Sequence, residues 1–136
     1  MKTRVLTGGS VRQKPEILAR YLESLGDLAS ETVVIDYIFV DDNVDEESSR
    51  LLRTFKREGS AVTILEGGDL PGTDYVCTEE THHWRRSLVH KIAAYKNQII
   101  RHALSHGYDS MFFVDSDLIL HPLLLERLKE TKKDIV

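Results

Sequence analysis

Short apolar runs alternate along the chain with longer stretches in which apolar residues recur every three or four positions. The runs predict four strands, near residues 4–7, 37–40, 61–65 and 111–114. The stretches between and after them predict amphipathic helices, the first of which begins at Pro15 and ends at Gly26. This alternation is typical of an α/β domain with a mostly parallel sheet and helices on both faces.

Polar residues follow three of the predicted strands. Thr7 precedes the glycine pair Gly8-Gly9, which is predicted to end the first strand, and Asp41-Asp42 follows the second strand. Asp115 and Asp117 follow the fourth strand, whose apolar run predicts burial on both faces. Ligands of parallel sheets bind beyond the carboxyl ends of the strands, so we expect these side chains to share one site.

The fourth strand leads directly into two carboxylates that lie two positions apart. In an extended chain residues i and i+2 point to the same side, so Asp115 and Asp117 are expected to converge. Two neighbouring carboxylates repel each other unless a cation lies beside them, and oxygen ligands suit Mg²⁺ or Mn²⁺. The pair therefore predicts a site for a divalent metal and a diphosphate.

Three other segments allow both a functional and a structural interpretation. Residues 8–14 contain two glycines, Arg12 and Lys14, and form either a phosphate-binding loop or a solvated turn. Asp41-Asp42-Asn43 either contacts a ligand or caps a helix that is predicted to end at Gly59. Residues 66–87 have no regular period, and their last residues either close over a ligand or lead into the next helix: His82, His83, Trp84, Arg85 and Arg86.

The predicted helix over residues 88–106 has one apolar face. Its members are Val89, Ile92, Ala93, Ile99, Ile100, Ala103 and Leu104. Lys91 and Lys96 fall outside this face, and we expect both side chains to be solvated.

Composition restricts the partners. The 136 residues fit one domain, and a net charge of −4 gives no electrostatic basis for binding nucleic acid. No apolar run approaches the roughly 20 residues that a membrane-spanning helix needs. The single cysteine, Cys77, favours a reducing, cytoplasmic compartment.

Three motifs together resemble the nucleotide-binding half of a GT-A glycosyltransferase of the family 2 type. Residues 39–43, Phe-Val-Asp-Asp-Asn, resemble the family signature at the end of strand two. Residues 93–97 resemble the Ala-Arg-Asn helix that precedes the metal motif, and residues 112–117 resemble the Asp-x-Asp strand. The resemblance covers nearly the whole chain and implies a Rossmann-like nucleotide-binding half of a GT-A fold over residues 1–136.

The resemblance also implies roles in binding the nucleotide. Thr7 would line the nucleoside pocket, and Asp41 belongs to the signature that contacts the nucleotide. Asp42 would bond to the base, which is usually uracil in this family. Lys91 would lie near the base or the diphosphate, and the implied donor is a UDP-sugar.

The implied metal site lies on the Asp-x-Asp strand. Asp115 would contact the ribose and the metal, while Asp117 would bind Mn²⁺ or Mg²⁺ directly and so help to neutralise the leaving diphosphate. GT-A enzymes place the acceptor site and the catalytic base after this strand, and about 19 residues follow Asp117 here. We therefore expect a donor-binding half with no assigned base and an unknown acceptor. An open sheet edge favours a homo-oligomer.

Two other functions fit parts of the pattern. Phosphohydrolases of the haloacid dehalogenase type also place Asp-x-Asp after a strand, with the first Asp as nucleophile. They carry the motif near the N-terminus and follow it with Thr or Val, whereas Leu118 follows it here, near the C-terminus. A non-catalytic module that binds a nucleotide-sugar or a partner also fits a chain without an acceptor half.

Overall fold

The computed structural model describes residues 2–68 and 86–135, without the side chains of residues 86 and 87. Within these residues the elements are β1 (Thr3–Val11), α1 (Pro15–Gly26), β2 (Val33–Asp41), α2 (Glu46–Thr54), β3 (Val62–Glu66), α3 (Arg86–Ser105), β4 (Ser110–Phe113) and α4 (Leu124–Glu130). The four strands form one parallel sheet in the order β3-β2-β1-β4. The predicted α/β architecture with a parallel sheet is confirmed.

Helices cover both faces of this sheet because alternate residues of each strand point to opposite sides. Val5, Val11 and Phe39 belong to an apolar cluster that includes residues of α1, α2 and α4. Leu6 and Ile38 belong to a second cluster, which includes residues of α3. In the described part of the chain, no helix is long and apolar enough to cross a membrane.

β1 continues past the glycine pair that was predicted to end it. Gly8 and Gly9 are both paired with β2 inside the strand. A Cβ atom on Gly8 would lie 1.8 Å from the carbonyl oxygen of Ile38, and one on Gly9 would lie 3.1 Å from that of Val114. The predicted turn is therefore wrong, since β1 continues through both glycines. The missing side chains of Gly8 and Gly9 let β1 approach the backbones of Ile38 and Val114 closely.

Two further predictions are wrong, one on the end of α2 and one on the burial of β4. α2 ends at Thr54 rather than at Gly59, since the backbone of Phe55 is extended, with φ −63° and ψ 126°. β4 lies at the edge of the sheet, and Phe113 in it is 37% exposed, so this strand is not buried on both faces. A row of apolar residues shows that a segment can be buried, but the strand order decides how much of it is.

α3 packs on the sheet with a face that only partly matches the predicted one, since Ile99 and Ala103 are buried as predicted. Its buried residues are Leu88, Lys91, Tyr95, Ile99 and Ala103, which recur every three or four positions. Val89 and Leu104, both predicted to be buried, are exposed. Lys91 is only 5% exposed, so the prediction that it is solvated is wrong.

Candidate functional site

Charged side chains from three parts of the chain meet at the carboxyl edge of the sheet. The Nζ atom of Lys91 lies 2.9 Å from Oδ1 of Asp42, and a guanidinium nitrogen of Arg12 lies 3.8 Å from Oδ2. The hydroxyl of Tyr95 donates to Oδ1 of Asp42 at 3.2 Å. We call these four residues the Asp42 cluster. The side chains of Lys91 and Asp42 are 6% and 13% exposed, so water screens their attraction poorly.

Asp42 faces α3 because the β1–β2 pairing continues one residue beyond β2. The backbone N–H of Asp42 donates to the carbonyl of Val11 at 2.9 Å. The strand alternation therefore places Asp42 on the same side of the sheet as Ile38 and Val40, which pack with α3. Asp41, one position earlier, faces α2.

Asp41 holds the loop after β2. Its Oδ1 atom accepts hydrogen bonds from the backbone and the side chain of Asn43, at 3.1 and 2.8 Å, and from Ser49 Oγ at 3.0 Å. Asn43 in turn accepts a hydrogen bond from the backbone N–H of Gln13 at 2.9 Å. Asp41 is 6% exposed. Asp41 therefore has a structural role, but the predicted helix cap is wrong, because Asp45 caps α2 by accepting from the backbone N–H of Glu47. Contact of Asp41 with a nucleotide stays a prediction.

Thr7 lies inside the sheet and not at the end of a strand. It pairs with Tyr37 on one side and Phe112 on the other, and β1 continues to Val11. Thr7 is fully buried, and its hydroxyl is the one buried side-chain polar atom without a hydrogen-bond partner among the described residues. The predicted position of Thr7 at the strand end is therefore wrong.

Thr7→Val is expected to raise the free energy of unfolding by about 1 kcal/mol, because it replaces an unpaired buried hydroxyl with a methyl group of similar size. The affinity for UDP should stay unchanged, since the residue is enclosed by the core. Urea denaturation and UDP titration of the two proteins measure these effects. A lower UDP affinity in the stabilised variant would restore Thr7 to the nucleoside pocket.

The acidic motif lies in a turn rather than on an extended strand. β4 ends at Phe113, and the backbone N–H of Leu118 donates to the carbonyl of Asp115 at 3.3 Å. Asp115 and Asp117 are both exposed. The extended geometry from which their convergence was predicted is wrong here, because the chain turns between them.

Val114 fixes the start of the turn over residues 115–118, which we call the acidic turn. Its backbone N–H donates to the carbonyl of Gly8 at 2.9 Å, and its own carbonyl accepts from the hydroxyl of Tyr21 at 3.1 Å. Burial, and to a lesser degree the charge of Asp115, raises the pKa of Tyr21 far above its usual value. The phenol therefore keeps the proton that it donates, and α1 holds the position from which the turn begins.

The Asp42 cluster and the acidic turn lie at the same edge of the sheet. They follow β2 and β4, which flank β1, so their strands are two inter-strand spacings, or about 10 Å, apart. The strand order reverses at β1, and ligands of open α/β sheets bind at such a point. The strand-end residues Asp42, Asp115 and Asp117 thus share one edge, as predicted, while Thr7 does not.

The acidic turn supplies too few donors to enclose a metal ion by itself. In residues 2–68 and 86–135, no group of three or more His, Cys, Asp or Glu side chains could hold an ion. Proteins often bind Mg²⁺ or Mn²⁺ through one or two carboxylates together with substrate phosphates and water, so Asp115 and Asp117 would hold an ion only with such further ligands. The metal stays a prediction.

The remaining candidate regions are the segment before α3 and a groove beside β4. The described residues do not include Cys77 or the His-His-Trp-Arg segment at positions 82–85, and α3 begins at Arg86. A groove of about 370 Å³ follows the open side of β4, where Thr3, Val33 and Leu125 are among its lining residues. Thr3 and Val33 begin their strands, so the groove lies toward the amino edge, away from the Asp42 cluster.

Sequence reasoning missed Tyr95 and the burial of Lys91. A signal for both was present, since Leu88, Lys91, Tyr95 and Ile99 are spaced by three, four and four positions. A lysine within an otherwise apolar helical stripe predicts a paired ammonium group, because an unpaired buried charge is costly.

Comparisons with models of protein families, with curated proteins and with solved structures find no match for this chain. Family and activity are therefore not given by similarity to a known protein. The basis for a function is the Asp42 cluster, the acidic turn and the order of the three motifs along the chain.

Proposed function

We propose that this chain binds the nucleoside diphosphate part of an activated sugar, as the donor-binding half of a family 2-like GT-A glycosyltransferase. The observation that carries the proposal is the ion pair between Asp42 and the buried Lys91 at the carboxyl edge of a parallel sheet, on the same edge as the acidic turn. In this arrangement Asp42, which would bind the nucleotide base, lies on one side of the point where the strand order reverses. Asp115 and Asp117, which would bind the metal, lie on the other side.

The charges of the Asp42 cluster suit a ligand with both a base and a diphosphate. Asp42 can accept a hydrogen bond from the single N–H group, at N3, of a uracil base. Lys91 and Arg12 place two cationic groups beside this carboxylate, and such groups attract phosphate. The Arg12 side chain is 31% exposed, so its guanidinium group is accessible from solvent.

The acidic turn supplies the second half of the proposed site. Asp115 and Asp117 would hold Mn²⁺ or Mg²⁺, whose chemistry there is to neutralise the diphosphate when the bond from sugar to phosphate oxygen breaks. The tie from Tyr21 to Val114 fixes where these carboxylates begin. Transfer to an acceptor needs a catalytic base, and none is assigned to this chain.

Calorimetric titration with UDP tests the proposal. We expect UDP to bind at least about ten times more tightly in Mn²⁺ than in chelator, since the metal offsets the repulsion between carboxylates and phosphates. Asp117→Asn should remove most of this difference. Asp27→Asn is the control, because Asp27 is exposed at the end of α1.

Three results would change the assignment. UDP binding that responds neither to chelator nor to Asp117→Asn would contradict the metal site. Hydrolysis of p-nitrophenyl phosphate that Asp115→Asn abolishes would favour a phosphohydrolase. Failure of the wild-type chain to bind UDP or a UDP-sugar in Mn²⁺ would contradict the donor-binding half.

A further inference from the structure

The hydroxyl of Tyr95 joins the Asp42 cluster to the backbone that follows β3. Its oxygen lies 2.5 Å from the carbonyl oxygen of Gly67 and 3.2 Å from Oδ1 of Asp42. One phenolic hydrogen therefore faces two acceptors, and the shorter distance makes Gly67 the stronger of the two. The Tyr95 side chain, which belongs to α3, thus connects the ends of two neighbouring strands, β2 and β3.

Gly67 leaves room for the Tyr95 hydroxyl because it has no side chain. Its backbone N–H donates to the carbonyl of Asp41 at 2.9 Å. A Cβ atom on Gly67 would lie 2.8 Å from the Tyr95 hydroxyl oxygen and 2.9 Å from the carbonyl oxygen of Asp41. The chain passes this closely only because Gly67 has no side chain, so its position and that of Tyr95 depend on each other.

Tyr95 also supports the cation of the cluster. The Nζ atom of Lys91 lies 5.7 Å from the centre of the Tyr95 ring, within the range of a cation–π contact. Tyr95 is 2% exposed, so its ring has little freedom to move. One rigid side chain thus contacts the carboxylate and the ammonium of the Asp42–Lys91 pair.

We propose that Tyr95 is a positioning residue, whose hydroxyl fixes the Asp42 carboxylate and Gly67 in one geometry. The consequence for ligand binding rests on the proposed function, in which Asp42 bonds to the base. The link between Tyr95 and Gly67 is a property of the free protein and can be measured without a ligand.

Tyr95→Phe removes only the hydroxyl and keeps the ring that packs in the core. We expect the Kd for UDP in Mn²⁺ to rise about tenfold, which corresponds to one hydrogen bond of about 1.4 kcal/mol. The Gly67 N–H donates to Asp41, while the Gly67 carbonyl is held by the Tyr95 hydroxyl. Hydrogen exchange of the Gly67 amide in the free protein should therefore become faster when that hydroxyl is removed. Tyr108→Phe is the matched control, since Tyr108 donates to Oδ2 of Asp36 at 2.7 Å, away from the carboxyl edge.

A double-mutant cycle separates positioning from general stability. In an Asp42→Ala background, Tyr95→Phe should lower the melting temperature by less than it does in the wild type, because the carboxylate that the Tyr95 hydroxyl contacts is absent. Melting temperatures of all variants show whether the loss of affinity follows the loss of stability. Equal shifts of the melting temperature by Tyr95→Phe in both backgrounds would overturn the positioning role.

The outcomes distinguish this inference from the proposed function. If the wild-type protein binds UDP and Tyr95→Phe behaves like Tyr108→Phe, the inference fails and the proposed function stands. If the wild-type protein does not bind UDP but Tyr95→Phe accelerates exchange at Gly67, the proposed function fails and the structural link stands. Unchanged exchange at Gly67 overturns the link itself.

Discussion

Gly8→Ala is expected to lower the free energy of unfolding by more than about 4 kcal/mol, a large fraction of the total stability of an ordinary domain. The φ angle of Gly8 is +151°, and a new Cβ atom would lie 1.8 Å from the carbonyl oxygen of Ile38. That oxygen belongs to the backbone of β2, so a change of rotamer cannot relieve the clash. β1 would have to separate from its neighbour in the centre of the sheet.

Thermal denaturation followed by circular dichroism, together with the soluble yield, measures this effect. Gly59→Ala is the control, because Gly59 also has a positive φ, of +77°, but a Cβ atom added there would have no neighbouring atom within 4 Å. We expect that variant to lose only about 1–2 kcal/mol, the cost of a left-handed backbone for alanine. Similar losses in the two variants would show that β1 and β2 are not packed as closely as described.

Asp42→Ala is expected to lower the free energy of unfolding by about 3 kcal/mol and to abolish measurable UDP binding. The substitution removes the carboxylate that lies 2.9 Å from the buried ammonium of Lys91. It also removes the acceptor that the proposed function assigns to the base. Urea denaturation gives the first effect, and titration at a temperature where the variant is folded gives the second.

Two variants show whether burial causes the loss of stability. Asp27→Ala changes an exposed carboxylate and should alter the free energy of unfolding by less than about 0.5 kcal/mol. Lys91→Met should cost less than Asp42→Ala, because the remaining carboxylate keeps Arg12 and Tyr95 beside it. A loss in Asp42→Ala no larger than in Asp27→Ala would mean that water solvates the pair well.

Local spacing determined much of the fold. The four apolar runs and the helical periods between them predicted the element order, because burial of one face imposes a period of two or of about 3.6 on a sequence. The order of elements then implied a parallel sheet, and the carboxylates after β2 and β4 were placed correctly at one edge. These conclusions need only neighbouring residues and the direction of the strands.

Predictions failed where a neighbour in space decides the outcome. Gly8 and Gly9 resemble a turn in the sequence, but they lie in a strand whose partners approach closely. Thr7 was placed at a site because its strand was predicted to end too early. Asp115 and Asp117 were treated as an extended pair, although the chain turns as soon as β4 ends.

The sequence by itself determined the α/β element order and the edge of the sheet at which Asp42, Asp115 and Asp117 lie. Only the tertiary structure decided which group pairs with the buried stripe of α3, because Tyr95 meets Asp42 across 53 positions of chain. An amphipathic period defines a stripe of apolar residues but not the charged partner that can bring a lysine into it. That partner comes from β2, so the pairing of Lys91 with Asp42 exists only once the helix has packed on the sheet.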